Sequence, residues 1–222
     1  MLARLAHIRN WIFDLDNTLY PVSANLFAHI DLRITDYVAQ MFEVDAVEAR
    51  RIQKAYFIGH GTTLSGLMQE HAIDPHDYLA FVHDVEMHAL EHNAPLAEAL
   101  ALLPGRKLIF TNADAPYAAK VLDRLGLGAS FEAVHDIHAT AYRPKPDPSA
   151  YHGLCEAYDL DPHHSLFVED MARNLKPAKA IGMTTVWIDN GSEQAPDEDR
   201  SFIDFTITDL GHWLHDILES DI

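Results

Sequence analysis

The order of strand-like and helix-like segments limits the fold of this chain more than any other feature. Six short runs rich in branched and aromatic residues predict strands: "IRNWIFDL" near the start, and "KLIF", "AVHD", "SLFVED", "TTVWID" and "DFTIT" in the second half. Helix-like segments separate the later runs. Strands that alternate with helices predict a parallel sheet covered by helices on both faces.

One long block, from about residue 24 to residue 103, is helical in pattern with no strand evident. Its segments "LFAHIDLRITDYVAQMF", "AVEARRIQKAYFIGH", "TTLSGLMQEHA" and "DYLAFVHDVEMHAL" space apolar residues three and four apart. We therefore predict a doubly wound, Rossmann-like α/β domain formed by residues 1–20 and 104–222. An all-helical domain of residues 21–103 is inserted after the first strand. The polar stretch 190–200 is predicted to be an exposed loop.

Composition and charge limit the class of partner. With 222 residues, 48% of them hydrophobic, the chain is able to bury a large core. Its 34 acidic and 16 basic residues give a formal charge of -18, which would repel a nucleic-acid polymer. An anionic substrate must therefore be met by locally concentrated positive charge.

The sequence contains no run of roughly 20 apolar residues that would predict a membrane span, and its first residues do not resemble a signal peptide. We expect a cytoplasmic protein that works as a monomer or homodimer, without a membrane partner. The single cysteine, Cys155, is interpreted as a small core residue.

Polar side chains follow several predicted strands at the points where these strands end. In open parallel sheets, ligands bind beyond the carboxyl ends of the strands. The residues at these ends or in the adjoining loops are Asp14, Asp16, Thr111, Asn112, Lys145, Glu169 and Asp170. Converging carboxylates repel one another, whereas a hard cation such as Mg²⁺ prefers oxygen ligands of this kind. A phosphate would fit between that cation, Lys145 and the Thr111 hydroxyl.

Four of these segments, "DLDNT", "TNAD", "RPKP" and "VEDMARNLKPAKAIGM", resemble in order and spacing the motifs of the haloacid dehalogenase-like hydrolase superfamily. The helical block resembles the cap of that superfamily, so the resemblance covers nearly the whole chain. Within the superfamily, "FDLDNTLYP", "YFIGHGTTLSGLM" and "LPGRKLIFTNA" are most similar to the pyrimidine 5'-nucleotidase subgroup.

The resemblance implies a role for each motif residue. Asp14 would be the nucleophile that takes the phosphoryl group, and Asp16 would protonate the leaving oxygen and later deprotonate water. Thr111 and the Asn112 backbone would hold the phosphoryl oxygens, while Lys145 would neutralise negative charge on the phosphate and on Asp14.

The resemblance also implies a Mg²⁺ site. The ion would be held by the Asp14 carboxylate, the Asp16 carbonyl oxygen and Asp170, with Glu169 close by. Asn174 stands where many relatives carry a second aspartate, which leaves open whether it reaches the metal through water or only supports the loop.

Two other metal interpretations are rejected. "DLDNTL" resembles the start of a calcium loop, but Leu19 stands where that loop needs glycine and Asn25 where it needs glutamate. The run "HALEH" matches a zinc-protease pattern, but Pro95 would end its helix at once.

Substrate selectivity is expected to come from the cap. In "GHGTTLSG", glycines permit close approach, and His60, Thr62 and Thr63 offer hydrogen bonds to a sugar or base. The alternative is an ordinary helix–turn–helix link with Thr62 as its N-cap. Tyr56 and Phe57 would stack on a base or belong to the cap's core.

The function predicted is a Mg²⁺-dependent phosphatase for a small phosphorylated metabolite, namely a pyrimidine nucleoside 5'-monophosphate. The alternatives are a phosphatase for phosphoglycolate or a sugar phosphate, a phosphomutase, and a catalytically idle binding protein. A dehalogenase is disfavoured because it has no use for the acid at Asp16.

Overall fold

A computed structural model describes residues 5–192, 194 and 199–219. Within these residues the chain forms one parallel sheet of six strands in the order β3-β2-β1-β4-β5-β6. The strands are β1 (Asn10–Phe13), β2 (Arg106–Phe110), β3 (Ala133–His135), β4 (Ser165–Glu169), β5 (Thr184–Ile188) and β6 (Phe205–Ile207). All six predicted strands are confirmed. The loop predicted at 190–200 lies partly outside the described residues.

The helices of the described residues are α1 (Leu26–Phe42), α2 (Ala46–His60), α3 (Thr63–His71), α4 (Pro75–Val82), α5 (Ala94–Leu102), α6 (Ala115–Leu125), α7 (Pro148–Tyr158), α8 (Ala172–Ala180) and α9 (Leu210–Glu219). Single 3₁₀ turns lie at Val22–Ala24 and Pro162–His164. Among the described helices, none combines the length and the apolar character that crossing a membrane requires.

The strand order reverses at β1, which lies in the middle of the sheet. Phe13 of β1 is in register with Ile109 of β2 on one side and with Val168 of β4 on the other. The carboxyl ends of these three strands therefore lie at one level. A reversal of this kind opens the crevice in which doubly wound folds bind ligands.

Both faces of the sheet are covered, as the near-continuous apolar strands predict. Trp11 and Phe13 belong to one buried cluster, which includes residues of α5, α6 and α9. Ile12, between them, belongs to a second cluster with residues of α7 and α8. The alternation along β1 therefore supplies both halves of the core.

The four helices α1–α4, which we call the cap, form a third cluster that contains Val38, Leu67 and Val82. In contrast, α5 buries Leu96 and Leu100 in the sheet cluster, although it lies inside the range 21–103 predicted for the inserted domain. The domain boundaries themselves stay a prediction.

One helix prediction was wrong. The segment "DYLAFVHDVEMHAL" was predicted to be helical to its end, but α4 stops at Val82 and the next residues, 84–87, are irregular. The physical reason is that Met87 and Leu90 are buried in the sheet cluster, so the chain must leave the cap. The "HALEH" run consequently lacks the helix that a zinc-protease site would require.

Candidate active site

Three acidic side chains meet where the central strands end. Asp14 directly follows β1, Glu169 ends β4, and Asp170 follows it; all three are buried. Their oxygens lie within 4.8 Å of one another, and we call them the acidic cluster. The backbone N–H of Asp14 donates to Val168 O at 2.9 Å, which continues the strand pairing into the site.

The ammonium group of Lys145 lies inside this cluster. Its Nζ donates to Asp14 Oδ1 at 2.7 Å, to Phe110 O at 2.8 Å and to Glu169 Oε1 at 3.3 Å, and its side chain is 1% exposed. One buried cation thus faces the three acids of the cluster, so the acids would outnumber it when all are ionised.

The loop that carries Lys145 is fixed by Asn112. The side-chain amide of Asn112 donates to Lys145 O at 3.1 Å and accepts from Lys145 N at 2.8 Å. Thr111, at the end of β2, is buried, and its hydroxyl accepts from Ala113 N at 3.0 Å. Thr111, Asn112 and Lys145 all line the same cavity as the acidic cluster.

Burial, and then the proximity of the acids to one another, shift the pKa values of the cluster. Burial raises the pKa of Asp14 well above its usual range; the nearby Glu169 raises it further, while Lys145 opposes the shift. Burial and Asp14 together raise the pKa of Asp170 to about 7. Three buried carboxylates are a suitable donor set for a hard divalent cation, whose charge would offset their mutual repulsion.

Asn174 contacts the cluster through Glu169. Its amide nitrogen donates to Glu169 Oε1, while Glu169 Oε2 accepts from Asp170 N at 3.1 Å. Asn174 Oδ1 is buried without a protein partner among the described residues. The side chain of Asn174 therefore holds Glu169 in place in this structure.

Asp16 lies beside Asp14 and lines the cavity. Its Oδ1 accepts a hydrogen bond from the Tyr20 hydroxyl at 2.5 Å and another from the Tyr117 hydroxyl at 2.7 Å. Burial raises the pKa of both phenols well above the ordinary value, so they remain donors. Neither tyrosine was predicted: Tyr20 is only four residues from Asp16, but Tyr117 is 101 residues away.

A cavity of about 370 Å³ separates the acidic cluster from the cap. Its cap wall includes Asp31, Gln53 and Phe57. Thr62 and Thr63 also line it. This volume falls in the range of small-molecule sites.

The hydroxyls of the two threonines are already engaged within the cap. Thr62 Oγ1 accepts from Ser65 N at 3.1 Å, so Thr62 is the N-cap of α3. Thr63 Oγ1 donates to Gln53 O at 3.2 Å. His60 is not part of the cavity wall and instead contacts Glu70 Oε1 at 3.1 Å. A substrate contact by any of the three residues stays a prediction.

The two aromatic residues near this turn differ in position. Tyr56 lies outside the cavity wall, with its hydroxyl 3.0 Å from Glu70 Oε2 and 2.8 Å from His71 Nε2. Phe57 lines the cavity, and the guanidinium carbon of Arg173 lies 4.1 Å from the centre of its ring.

Arg173, on α8, is a site residue that the sequence interpretation missed. Its Nη2 donates to Gly61 O at 3.0 Å, in the turn between α2 and α3, so it joins the sheet domain to the cap. Its Nε is buried without a partner among the described residues, and the side chain lines the cavity. The signal was present in the sequence, since "EDMAR" places a cation three residues after the acidic pair.

Comparison with known proteins gives a consistent family. The sequence model of a family described as haloacid dehalogenase-like hydrolase matches residues 8–182. A solved structure described as an HAD phosphatase from Thermococcus onnurineus shares the fold, with a TM-score of 0.61 and 19% identity over 95% of this chain and 98% of that one.

Three curated relatives bear on function. Phosphate metabolism protein 8 of Saccharomyces cerevisiae is 26% identical over 78% of this chain and 59% of its own length. GMP/IMP nucleotidase YrfG of Escherichia coli is 30% identical over 42% of this chain and 41% of its own. A phosphoglycolate phosphatase of Mesorhizobium japonicum is 26% identical over 81% of this chain and 82% of its own length. The chain thus spans less than two thirds of the length of the first two relatives.

Proposed function

The chain belongs to the haloacid dehalogenase-like hydrolases, and we propose that it is a Mg²⁺-dependent phosphatase that acts on a small phosphomonoester through an aspartyl-phosphate on Asp14. The observation that carries this proposal is the pairing of buried Asp14 with Lys145 Nζ at 2.7 Å, inside a cluster that suits a divalent cation. Relatives named as phosphatases and nucleotidases support it.

Each residue has a chemical task in this mechanism. A carboxylate oxygen of Asp14 attacks phosphorus while the bond to the leaving oxygen breaks. Asp16 gives that oxygen a proton and later takes one from the water that hydrolyses the aspartyl-phosphate. Lys145 holds the attacking carboxylate and offsets negative charge on the phosphoryl oxygens.

The acidic cluster and the Asp16 carbonyl oxygen would hold Mg²⁺. When bound, the ion would supply positive charge to the phosphoryl oxygens and relieve the repulsion between the carboxylates. Thr111 and the backbone of Asn112 would fix the remaining phosphoryl oxygens.

The substrate that we propose first is a nucleoside 5'-monophosphate, with a pyrimidine base. A cavity of about 370 Å³, walled in part by Phe57, offers an apolar surface for a base and a volume that suits a small ligand. The net charge of -18 supports a small metabolite rather than a nucleic-acid polymer as substrate. We also propose a cytoplasmic location and a monomer or homodimer.

Phosphoglycolate is the second candidate. It carries a carboxylate in addition to its phosphate. Arg173 is a cation on the cavity wall, besides Lys54 and Lys145, and its Nε is buried and unpaired among the described residues. The phosphoglycolate phosphatase among the relatives points the same way.

The test is a screen of phosphomonoesters ranked by kcat/KM in the presence of Mg²⁺. UMP and CMP are expected to exceed purine nucleotides, phosphoglycolate and sugar phosphates by at least about tenfold, or roughly 1.4 kcal/mol. A different leading substrate would retain the phosphatase but reject the pyrimidine preference. Phosphate release only with a bisphosphate activator would indicate a mutase, and no release from any ester would indicate an idle protein.

A further inference from the structure

One oxygen of the Asp16 side chain is hydrogen-bonded by two buried tyrosines. Its Oδ1 receives two hydroxyl donors, Tyr20 at 2.5 Å and Tyr117 at 2.7 Å, and these tyrosines are 2% and 1% exposed. Here one oxygen is shielded by two phenols, while the residue still lines the cavity.

We propose that Tyr20 and Tyr117 are positioning residues that fix the Asp16 carboxyl group with Oδ2 as the oxygen that exchanges protons with the substrate. This inference rests on the function proposed above. The two donors occupy the accepting positions of Oδ1 and restrain rotation of the carboxyl plane. Proton transfer requires hydrogen-bond distance and alignment at one defined atom.

The two tyrosines come from different parts of the fold, so the hydrogen bonds to Asp16 Oδ1 are restrained from two sides. Tyr20 lies in the same loop as Asp16, whereas Tyr117 is on α6. The ring of Tyr117 stacks on His83 at the end of α4, with centroids 4.3 Å apart and planes at 19°. Asp114 accepts from both His83 Nδ1, at 3.0 Å, and Tyr117 N, at 3.1 Å. The sheet domain and the cap therefore both restrain the tyrosine.

The proton transfers balance with both tyrosines unchanged. In the first half-reaction Oδ2–H protonates the leaving oxygen as its bond to phosphorus breaks, and Asp16 becomes a carboxylate. In the second half-reaction a water oxygen bonds to phosphorus, the bond to Asp14 breaks, and Oδ2 takes a proton from that water. The phenol protons stay on Tyr20 and Tyr117 throughout and keep Oδ1 in place.

The test compares an alkyl phosphate, whose leaving oxygen needs a proton, with p-nitrophenyl phosphate, whose leaving oxygen needs little help. The variants are Tyr20→Phe, Tyr117→Phe and the double substitution, each with Mg²⁺. The double variant is expected to lose on the order of tenfold or more in kcat/KM for the alkyl ester, as part of the 10²–10⁴-fold that general acid catalysis supplies. Its loss for p-nitrophenyl phosphate should be severalfold smaller.

A control variant and the two single variants complete the test. Tyr158→Phe removes a hydroxyl from a half-buried tyrosine elsewhere in the sheet domain and should leave both activities unchanged. If the double variant does not fold, as judged by its thermal unfolding, the two single variants carry the same comparison. Equal losses for both esters, or no loss, would overturn the positioning role.

Asp16→Asn separates failure of this inference from failure of the proposed function. Its loss of kcat/KM should also be larger for the alkyl ester than for p-nitrophenyl phosphate, and both losses should exceed those of the tyrosine variants. If Asp16→Asn loses more activity on the alkyl ester than on p-nitrophenyl phosphate and the tyrosine variants do not, only the positioning role of the tyrosines is wrong. If Asp16→Asn is fully active on both esters, the proposed role of Asp16 is itself wrong.

Discussion

The two walls of the cavity use their polar groups in opposite ways. On the sheet side, Asp14, Asp170 and Lys145 are buried together, and this group includes a set of acids that could hold a metal ion. On the cap side, the hydroxyls of Thr62 and Thr63 already have partners within the cap: Ser65 N for Thr62, and Gln53 O on α2 for Thr63. The proposed function therefore assigns the chemistry to the sheet wall and the fit of the substrate to the cap wall.

Other polar side chains of the cap also find their hydrogen-bond partners within the cap. Gln53 accepts from Thr35 Oγ1 at 2.6 Å and donates to Asp31 Oδ1 at 2.7 Å, while Arg50 pairs with the other oxygen of Asp31. These side chains stabilise one another before any ligand arrives. Substitutions on the sheet wall should therefore alter kcat, and those on the cap wall should alter KM or stability.

The largest effect is expected from Asp14→Asn. An amide is not a nucleophile, so the phosphoenzyme should not form and kcat should fall by about 10⁴-fold or more. Acid-quenched trapping of the phosphorylated protein measures the intermediate, and Asp123→Asn, on the exposed side of α6, is the matched control. Normal turnover with Asn at this position would contradict a covalent route.

Removal of the metal is the next test of the sheet wall. Chelator should abolish turnover and added Mg²⁺ should restore it. Independently of activity, Mg²⁺ at 100 times its Kd should raise the free energy of unfolding by about 2.7 kcal/mol. Thermal unfolding with and without Mg²⁺ checks this, and Asp170→Asn should shrink the difference. Full activity in chelator would show that turnover does not require a divalent cation.

Arg173→Met tests the junction between the two walls. The variant keeps an apolar side chain beside Phe57 but loses the hydrogen bond to Gly61 O. We expect KM to rise about tenfold, equivalent to about 1.4 kcal/mol, with a smaller change in kcat. Arg51→Met, on the exposed surface of α2, is the control. A loss confined to kcat would move Arg173 into the chemistry of the sheet wall.

The smallest effect is expected from Thr62→Ala. Loss of the N-cap of α3 should lower the free energy of unfolding by about 1 kcal/mol, or roughly 2–4 °C in Tm. KM should be nearly unchanged, and Thr62→Ser, which keeps an oxygen for Ser65 N, should behave as wild type. A clear increase in KM at constant Tm would instead make Thr62 a substrate contact.

The sequence predicts the sheet wall better than the cap wall for a physical reason. Asp14, Thr111 and Asp170 follow apolar strands, and parallel strands bring their carboxyl ends together regardless of the helices between them. Position along the chain is then enough to predict proximity. The six strands were predicted from a different signal, namely short runs rich in branched and aromatic residues.

Helix faces and long-range partners depend on packing that a single sequence does not reveal. His60 points away from the cavity, and the contact of Tyr117 with Asp16 joins residues 101 positions apart. The prediction of helix beyond Val82 was wrong because Met87 and Leu90 pack in the sheet cluster. The spacing of apolar residues does not reveal whether they pack in the cap or against the sheet.

The close approach of Gly61 to the sheet domain has a consequence for exchanging caps between proteins. Gly61 has φ +83, and a β-carbon there would lie 3.5 Å from Pro144 Cγ and 4.0 Å from Lys145 O. At this point the main chain of the cap lies so close to the loop that carries Lys145 that a β-carbon would be in van der Waals contact with it. Because L side chains rarely adopt this φ, a chimaera that replaces α1–α4 is expected to lose stability unless it keeps glycine at this turn.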